Sequence, residues 1–161
     1  MILYVVRHAV AGEHGDPRYP DDSLRPVTRK GNKQFGRLAK RLVRAGMAPR
    51  VIGASPYVRC VQTALALARR LEPPIAPQLV ETFSPGCRWD DVLAWLLAAK
   101  VQDAAYVGHA PDVDRVAAAA VGAHGSAIRF AKGAIAAIEF AGQPAAGQGA
   151  LKWLATPRLL R

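Results

Sequence analysis

Three short segments of this sequence place histidine or arginine beside the residue types that end strands and begin helices. They are Arg7-His8, Ser55-Pro-Tyr-Val-Arg59 and Gly108-His109. A neutral imidazole is nucleophilic and accepts protons near pH 7, and a guanidinium is a planar fork that matches phosphate oxygens. Together these groups indicate phosphoryl chemistry. Taken one at a time, each is equally compatible with a loop histidine or a surface arginine.

The elements around these segments follow from the apolar pattern. Ile2–Val6 is short, β-branched and bounded by charge, which predicts a buried strand. Residues 51–54 and 104–108 are predicted as two more strands. A first helix is predicted from an N-cap at Thr28 to about Ala45, and a second from an N-cap at Ser55, with Pro56 as first helical residue, to a point before Pro73. Two more helices are predicted over Trp89–Ala99 and Asp112–Val121. Late strands are predicted over Ala134–Phe140 and Leu151–Leu154.

Strands that alternate with helices of this length predict an α/β fold, a three-layer sandwich with a mostly parallel central sheet flanked by helices. In such folds the site lies beyond the carboxyl ends of the strands. All three segments leave or adjoin predicted strands at that edge, so we expect them to meet there. The polar loop 9–27 follows His8 and is rich in turn residues. A loop this long is often functional, and its acids Asp16, Asp21 and Asp22 can reach the same edge.

Length and composition set the class of protein. The chain has 161 residues, of which 51% are apolar and 21% charged, which is typical of one soluble globular domain over 1–161. No apolar run approaches the ~20 residues that span a bilayer, so no membrane association is expected. Two cysteines, Cys60 and Cys87, do not make a disulfide scaffold. We therefore expect a cytoplasmic protein.

The charge is strongly basic. Lys and Arg number 22 against 12 Asp and Glu, for a net charge of +10, and such a surface attracts nucleic acid, phosphorylated metabolites or phosphoproteins. Between Arg29 and Arg44 the predicted helix has seven bases around an apolar face formed by Phe35, Leu38 and neighbours. A solvated outer face explains this helix best, because no aromatic residue stands among the bases.

The three segments resemble the signature blocks of the histidine phosphatase superfamily in both order and spacing. Arg7-His8-Ala9-x-Ala11, the segment Ser55-Pro-x-x-Arg59 that ends in Gln62-Thr63, and Gly108-His109 carry the resemblance. Within the superfamily the chain is similar to the SixA-type phosphohistidine phosphatase branch, because of its Arg-His-Ala-x-Ala block, the Asp22-Ser-x-Arg-Pro-x-Thr28 run and the short stretch before His109. This resemblance implies a phosphoglycerate mutase-like fold without a large cap.

The resemblance also implies residue roles. His8 would attack phosphorus and form a phosphohistidine intermediate, while Arg7, Arg59 and His109 would hold the phosphoryl oxygens and water would then hydrolyse the intermediate. No cofactor and no metal are expected, and the four histidines lack the usual spacing of a zinc site. The expected substrate is phosphohistidine on a protein, with a small phosphorylated metabolite as the alternative.

Two residues keep two interpretations each. Glu81 stands where phosphomonoesterase members of the superfamily carry a proton donor, and it can be that donor or the ion-pair partner of an arginine. Arg25 can extend the phosphate-binding cradle or anchor the long loop. A third function, a basic module that binds nucleic acid or phosphoproteins without turnover, explains the charge but not the combination of His8 with Arg7, Arg59 and His109. Nucleic acid is therefore not the expected partner.

Overall fold

In the computed structural model, which describes residues 1–124 and 127–160, six strands form one sheet with helices on both faces. Short 3-10 turns lie at Asp22–Leu24, Glu81–Phe83 and Pro157–Leu160. The strands are β1 Ile2–Arg7, β2 Val51–Ala54, β3 Gln78–Leu79, β4 Asp103–Gly108, β5 Ile135–Phe140 and β6 Gly149–Ala155, and the helices are α1 Arg29–Arg44, α2 Val58–Ala68, α3 Trp89–Ala99 and α4 Asp112–Val121.

The strand order is β3-β2-β4-β1-β5-β6. β3, β2, β4 and β1 pair in parallel. β5 pairs antiparallel with β1 on one side and with β6 on the other. The predicted mostly parallel α/β sandwich is therefore confirmed. In the register of β1 and β4, Arg7 lies opposite Gly108, so the residues that follow these strands emerge side by side.

Each face of the sheet has its own apolar core, because side chains alternate along a strand. Leu3 and Val5 of β1 pack on the side covered by α3 and α4. Tyr4 and Val6 pack on the other side, against α1 and α2. The described residues form no large cap over the carboxyl edge of the sheet, as the sequence resemblance implied.

The N-terminus of α1 agrees with its prediction and that of α2 does not. The Thr28 hydroxyl accepts a hydrogen bond from the Gly31 amide at 2.9 Å, which is a normal N-cap. The prediction that Ser55 caps α2 is wrong, because α2 begins at Val58 with Tyr57 as N-cap. Ser55 is fully buried and its hydroxyl lies 2.9 Å from the His109 ring. The same hydroxyl accepts a hydrogen bond from the Tyr57 amide at 3.4 Å, so it contacts both the turn before α2 and the distant His109.

The ends of other elements differ by a few residues from their predictions. α2 ends at Ala68, short of the predicted end near Pro73, and β6 extends the predicted late strand at both ends. α1 buries Phe35, Leu38 and Ala39 and exposes its bases. Among the described residues there is no helix that is long and apolar enough to cross a membrane.

Candidate active site

The carboxyl ends of β1, β2 and β4 bring the three segments together. The His8 amide donates to the Gly108 carbonyl at 3.0 Å and the Ser55 amide to the Val107 carbonyl at 3.1 Å. These bonds fix the chain just beyond the strands. The His8 and His109 rings, 101 positions apart in sequence, consequently have centroids 5.5 Å apart.

A cavity of about 760 Å³ lies at this edge. Five of its lining side chains are cationic and three are carboxyls, and three histidines also line it, so it attracts anions. The charged and histidine lining residues are Arg7, His8, Glu13, His14, Asp22, Arg25, Arg59, His109, Asp112, Arg115 and Lys132. The sequence predicted Arg7, His8, Arg25, Arg59 and His109 as site residues, and the structure brings those five together here.

His8 is held as a neutral imidazole, and its Nε2 atom has no hydrogen-bond partner among the described residues. Its Nδ1 lies 2.8 Å from the carbonyl oxygen of Ala9, and because a carbonyl only accepts, Nδ1 carries the proton. Burial, together with the charges of His109, Arg59 and Arg7, lowers the pKa of His8 to about 3, against the opposing effect of the Ala9 hydrogen bond. At neutral pH the Nε2 atom therefore has a free lone pair, which is what a nucleophile requires.

Arg7 and Arg59 place two guanidinium groups in the same cavity. Arg7 Nη1 donates to the Phe130 carbonyl at 2.6 Å, and burial lowers the pKa of Arg7. Arg59 is only 5% exposed, with its guanidinium carbon 4.9 Å from the centre of the Tyr57 ring. The Nε atoms of both arginines are buried and have no hydrogen-bond partner among the described residues. Buried donors of this kind are normally satisfied, so both arginines retain capacity for an acceptor.

His109 lies deep in the cavity, 4% exposed. Its Nε2 atom is 2.9 Å from the Ser55 hydroxyl and 3.5 Å from the Cys60 sulfur. Burial and the nearby Arg59 lower the pKa of His109 to about 4. His109 is therefore neutral at pH 7, so it can offer an N–H hydrogen bond rather than a permanent charge. Burial also raises the pKa of the Cys60 thiol to about 12, which makes it a poor nucleophile.

Asp22 connects the long loop to the site. Its carboxylate lies 2.8 Å from Arg25 Nε, 3.0 Å from Arg59 Nη2 and 3.0 Å from His14 Nδ1, and the hydrogen bonds from Arg25 and His14 hold its pKa well below the usual range. Arg25 also donates to the Gly12 carbonyl at 2.6 Å. Arg25 thus anchors the loop and lines the cavity, so the structure accommodates both of its predicted roles. Of the three loop acids considered, Asp22 is the one that lines the cavity.

The structure places Glu81 apart from the other candidate residues. Glu81 is exposed at the start of a 3-10 turn, and it is not among the described residues that line the cavity. The turn buries Phe83, whose ring packs against two other aromatic rings. The distance between ring centroids is 5.3 Å to Trp95 and 4.7 Å to Tyr106. This packing leaves Glu81 on the outer side of the turn.

Sequence reasoning missed four charged residues of the cavity, namely Glu13, Asp112, Arg115 and Lys132. Asp112, 4% exposed, accepts a hydrogen bond from the Gly86 amide at 2.8 Å and so ties the loop after Phe83 to α4. Its position three residues after His109, in the first turn of a predicted helix, was the available signal. Lys132 lies just before β5, and no sequence motif identified it as a site residue.

Among the described residues, no group of three or more His, Cys, Asp or Glu could hold a metal ion.

The buried histidines make stability sensitive to acid. The folded-state pKa values of about 3 for His8 and about 4 for His109 lie below the ordinary 6.5. Between pH 6.5 and 4 the unfolded chain therefore binds more protons, and stability falls as pH falls through this window. We expect the melting temperature to drop from pH 7 to pH 5, measured by thermal unfolding.

The matched variant for this prediction replaces His8 and His109 with asparagine. The four carboxylates with lowered pKa, Asp16, Asp21, Asp22 and Glu139, have ordinary values of 3.8 to 4.5, so the stability that they contribute is lost mainly below pH 5 and does not mask the effect between pH 7 and pH 5. The double variant should lose less of its melting temperature between pH 7 and pH 5 than the original protein. An equal drop in both proteins would show that these imidazoles are not the acid-sensitive groups.

Comparison with known proteins agrees with this geometry. The sequence profile of the histidine phosphatase superfamily (branch 1) matches residues 3–85. An uncharacterised protein of Picosynechococcus is 36% identical over 116 residues, which cover 70% of this chain and 68% of that protein. The family match thus identifies a phosphatase. The chain belongs to branch 1 of the histidine phosphatase superfamily.

Solved structures show the same fold. The protein histidine phosphatase SixA, complexed with tungstate, has a TM-score of 0.86 at 23% identity and full coverage of both chains. An H9A mutant of phosphoserine phosphatase from Entamoeba histolytica, in complex with phosphoserine, has a TM-score of 0.72 at 13% identity over 99% of both chains. A mycobacterial glucosyl-3-phosphoglycerate phosphatase has a TM-score of 0.70 at 15% identity, over 96% of this chain and 99% of that one. At these identities the likeness establishes the phosphoglycerate mutase-like fold.

Proposed function

We propose that this protein hydrolyses phosphohistidine on a protein substrate, through a phosphohistidine intermediate on His8. The observation that carries the proposal is the state of His8, a neutral imidazole whose Nδ1–H bonds to the Ala9 carbonyl and whose Nε2 is free. It shares one cavity with Arg7, Arg59 and His109. The SixA neighbour is a protein histidine phosphatase by name, which agrees with this substrate.

The proposed reaction has two displacements. The lone pair of His8 Nε2 attacks phosphorus, the bond between phosphorus and the substrate imidazole breaks, and its electron pair stays on the leaving nitrogen, which takes a proton. Water then attacks the phosphorylated His8, releasing phosphate and regenerating the neutral imidazole after loss of a proton to solvent. Arg7 and Arg59 neutralise the equatorial oxygens throughout, where charge persists in the transition state. Arg25 extends this positive environment toward the loop.

The position of Glu81 supports a P–N rather than a P–O substrate. An alkoxide leaving group needs a proton from the enzyme, and a leaving imidazole needs it less. Glu81, for which the supply of that proton was one of two predicted roles, is not among the described residues that line the cavity. The alternative substrate is a small phosphomonoester. It is supported by the structural neighbours that act on phosphoserine or glucosyl-3-phosphoglycerate.

An assay in EDTA tests the proposed function. A histidine-phosphorylated peptide and p-nitrophenyl phosphate are offered in parallel, and phosphate release is measured for each. We expect rapid release from the peptide and slow release from the ester. Comparable or faster ester hydrolysis would indicate that the substrate is a small phosphomonoester. If folded protein releases phosphate from neither compound, a basic binding module is favoured. Activity that disappears in EDTA would contradict the metal-independent mechanism.

Substitution of Glu81 separates the two substrates further. Because Glu81 is exposed and imidazole leaves with little assistance, Glu81→Gln should hydrolyse the phosphohistidine peptide within about twofold of the original rate. Asp90→Asn, an exposed acid at the start of α3, is the matched control. Steady-state rates on both substrates provide the measurement. A loss of about 10²-fold on the peptide, the size that general acid catalysis contributes, would make Glu81 the proton donor for P–N cleavage too.

A further inference from the structure

A second cavity, of about 530 Å³, adjoins the first. Its charged lining residues are all cationic, namely Lys30, Lys132 and Arg158. Lys132 lines both cavities, so the second one continues from the catalytic edge instead of lying elsewhere on the molecule. We call the surface formed by these three residues the basic groove.

The groove is formed by three segments that lie in different elements of the fold. Lys30 stands in the first turn of α1, Lys132 in the segment before β5, and Arg158 in the 3-10 turn Pro157–Leu160 that packs on α1. None of the three forms an ion pair within the described part of the chain. Arg25 and Arg59, by contrast, are both paired with Asp22.

All three side chains of the groove are exposed. Cations that are close together and lack carboxylate partners repel one another, and this repulsion is relieved when an anionic group binds. The groove therefore fits a ligand that carries further negative charges at some distance from its phosphoryl group. A single phosphate bound near His8 does not itself explain a second cationic cavity.

We propose that the basic groove binds acidic residues near the phosphohistidine of a protein substrate. The proposal rests on the proposed function and adds the kind of protein that the site accepts. An extended peptide can enter both cavities at once because they share Lys132. The groove lining contains no aromatic residue among those described, whereas surfaces for single-stranded nucleic acid usually combine bases with aromatic stacking platforms. An acidic polypeptide is consequently the better match.

The test uses two synthetic peptides, each with one histidine phosphorylated by phosphoramidate. In one peptide four glutamates flank the histidine, and in the other four glutamines do. We expect kcat/KM to be about tenfold higher for the glutamate peptide at low salt, the size that a few exposed charge pairs can produce. The difference should shrink as salt is added, because screening weakens such contacts.

Charge reversal locates the effect on the protein. The double variant Lys30→Glu/Arg158→Glu leaves the residues of the catalytic cavity unchanged and should remove the preference for glutamate. The matched control is Lys40→Glu/Arg44→Glu, two exposed bases that line another cavity near the start of β2, at the opposite end of the sheet. Both variants lower the net charge of +10 by the same four charges. The control should keep most of the preference, and thermal unfolding checks that both variants fold.

The outcomes separate this inference from the proposed function. If the original protein hydrolyses both peptides but shows no preference, or if both variants lose it equally, the groove inference is overturned and the proposed function stands. If the original protein hydrolyses neither peptide, the proposed function fails. Inhibition by an RNA oligonucleotide that disappears only in Lys30→Glu/Arg158→Glu, without a peptide preference, would reassign the groove to nucleic acid.

Discussion

Replacement of His8 with alanine is expected to lower kcat by at least about 10³-fold on the phosphohistidine peptide. The variant lacks the Nε2 lone pair that attacks phosphorus, and the neighbouring arginines can bind the phosphoryl group without transferring it. Steady-state phosphate release at saturating peptide gives the measurement. Because binding by Arg7 and Arg59 is retained, KM should change much less than kcat.

The control for His8→Ala is His124→Ala, an exposed histidine that does not line the described cavity. It should keep the original rate. Circular dichroism and thermal unfolding establish that His8→Ala is folded, as expected for a residue whose backbone bonds to Gly108 and Gly133 remain in place. A folded His8→Ala protein with undiminished turnover would disprove nucleophilic attack by this residue.

Replacement of Arg59 with alanine should produce the second largest effect, a fall in kcat/KM of about 10²- to 10³-fold. Arg59 is a buried guanidinium beside the nucleophile, with Nη2 on the Asp22 carboxylate and Nε unpartnered among the described residues. Its loss removes charge that stabilises the equatorial oxygens. Arg59→Lys should recover only part of the activity, because a lysine restores the charge but not the planar fork.

Two measurements distinguish phosphate binding by Arg59 from anchoring of the loop. Inhibition by inorganic phosphate should weaken strongly in Arg59→Ala, since the guanidinium would no longer meet the anion. Asp22→Ala removes the carboxylate that pairs with Arg25 and Arg59, and it leaves Arg59 in place with its Nη1 hydrogen bond to the backbone carbonyl of residue 22. If Asp22→Ala reproduces the whole loss in kcat/KM and Arg59→Ala binds phosphate normally, Arg59 acts only as a loop anchor.

The sequence was sufficient to predict the sheet edge that carries the site. β1 and β4 are short, buried strands with no competing helical pattern, so their ends were readable from Ile2–Val6 and from the residues before His109. Parallel strands in register must deliver Arg7-His8 and His109 to one edge. Prediction succeeded here because strand position alone determines where these residues emerge.

Other features depend on contacts that no local pattern encodes. Ser55 has the sequence context of a helix cap, yet its hydroxyl lies against His109, 54 positions away. Glu81 was expected at the site, yet it is exposed and does not line the cavity formed by the described residues, in a turn whose Phe83 packs against Trp95. Lys132 lines both cavities although no sequence motif marks it. In each case the position follows from tertiary packing, which competes with local preference and here overrides it.

The identity of the phosphorylated atom decides whether His8 Nε2 is the nucleophile. The protein is mixed with the phosphohistidine peptide, quenched with alkali within milliseconds to preserve P–N bonds, digested and examined by mass spectrometry. We expect one phosphoryl group on His8, carried by Nε2, which forms before phosphate release and is absent from His8→Ala. Turnover at full rate with the phosphoryl group on another residue, or with His8 unmodified throughout the first turnover, would contradict it.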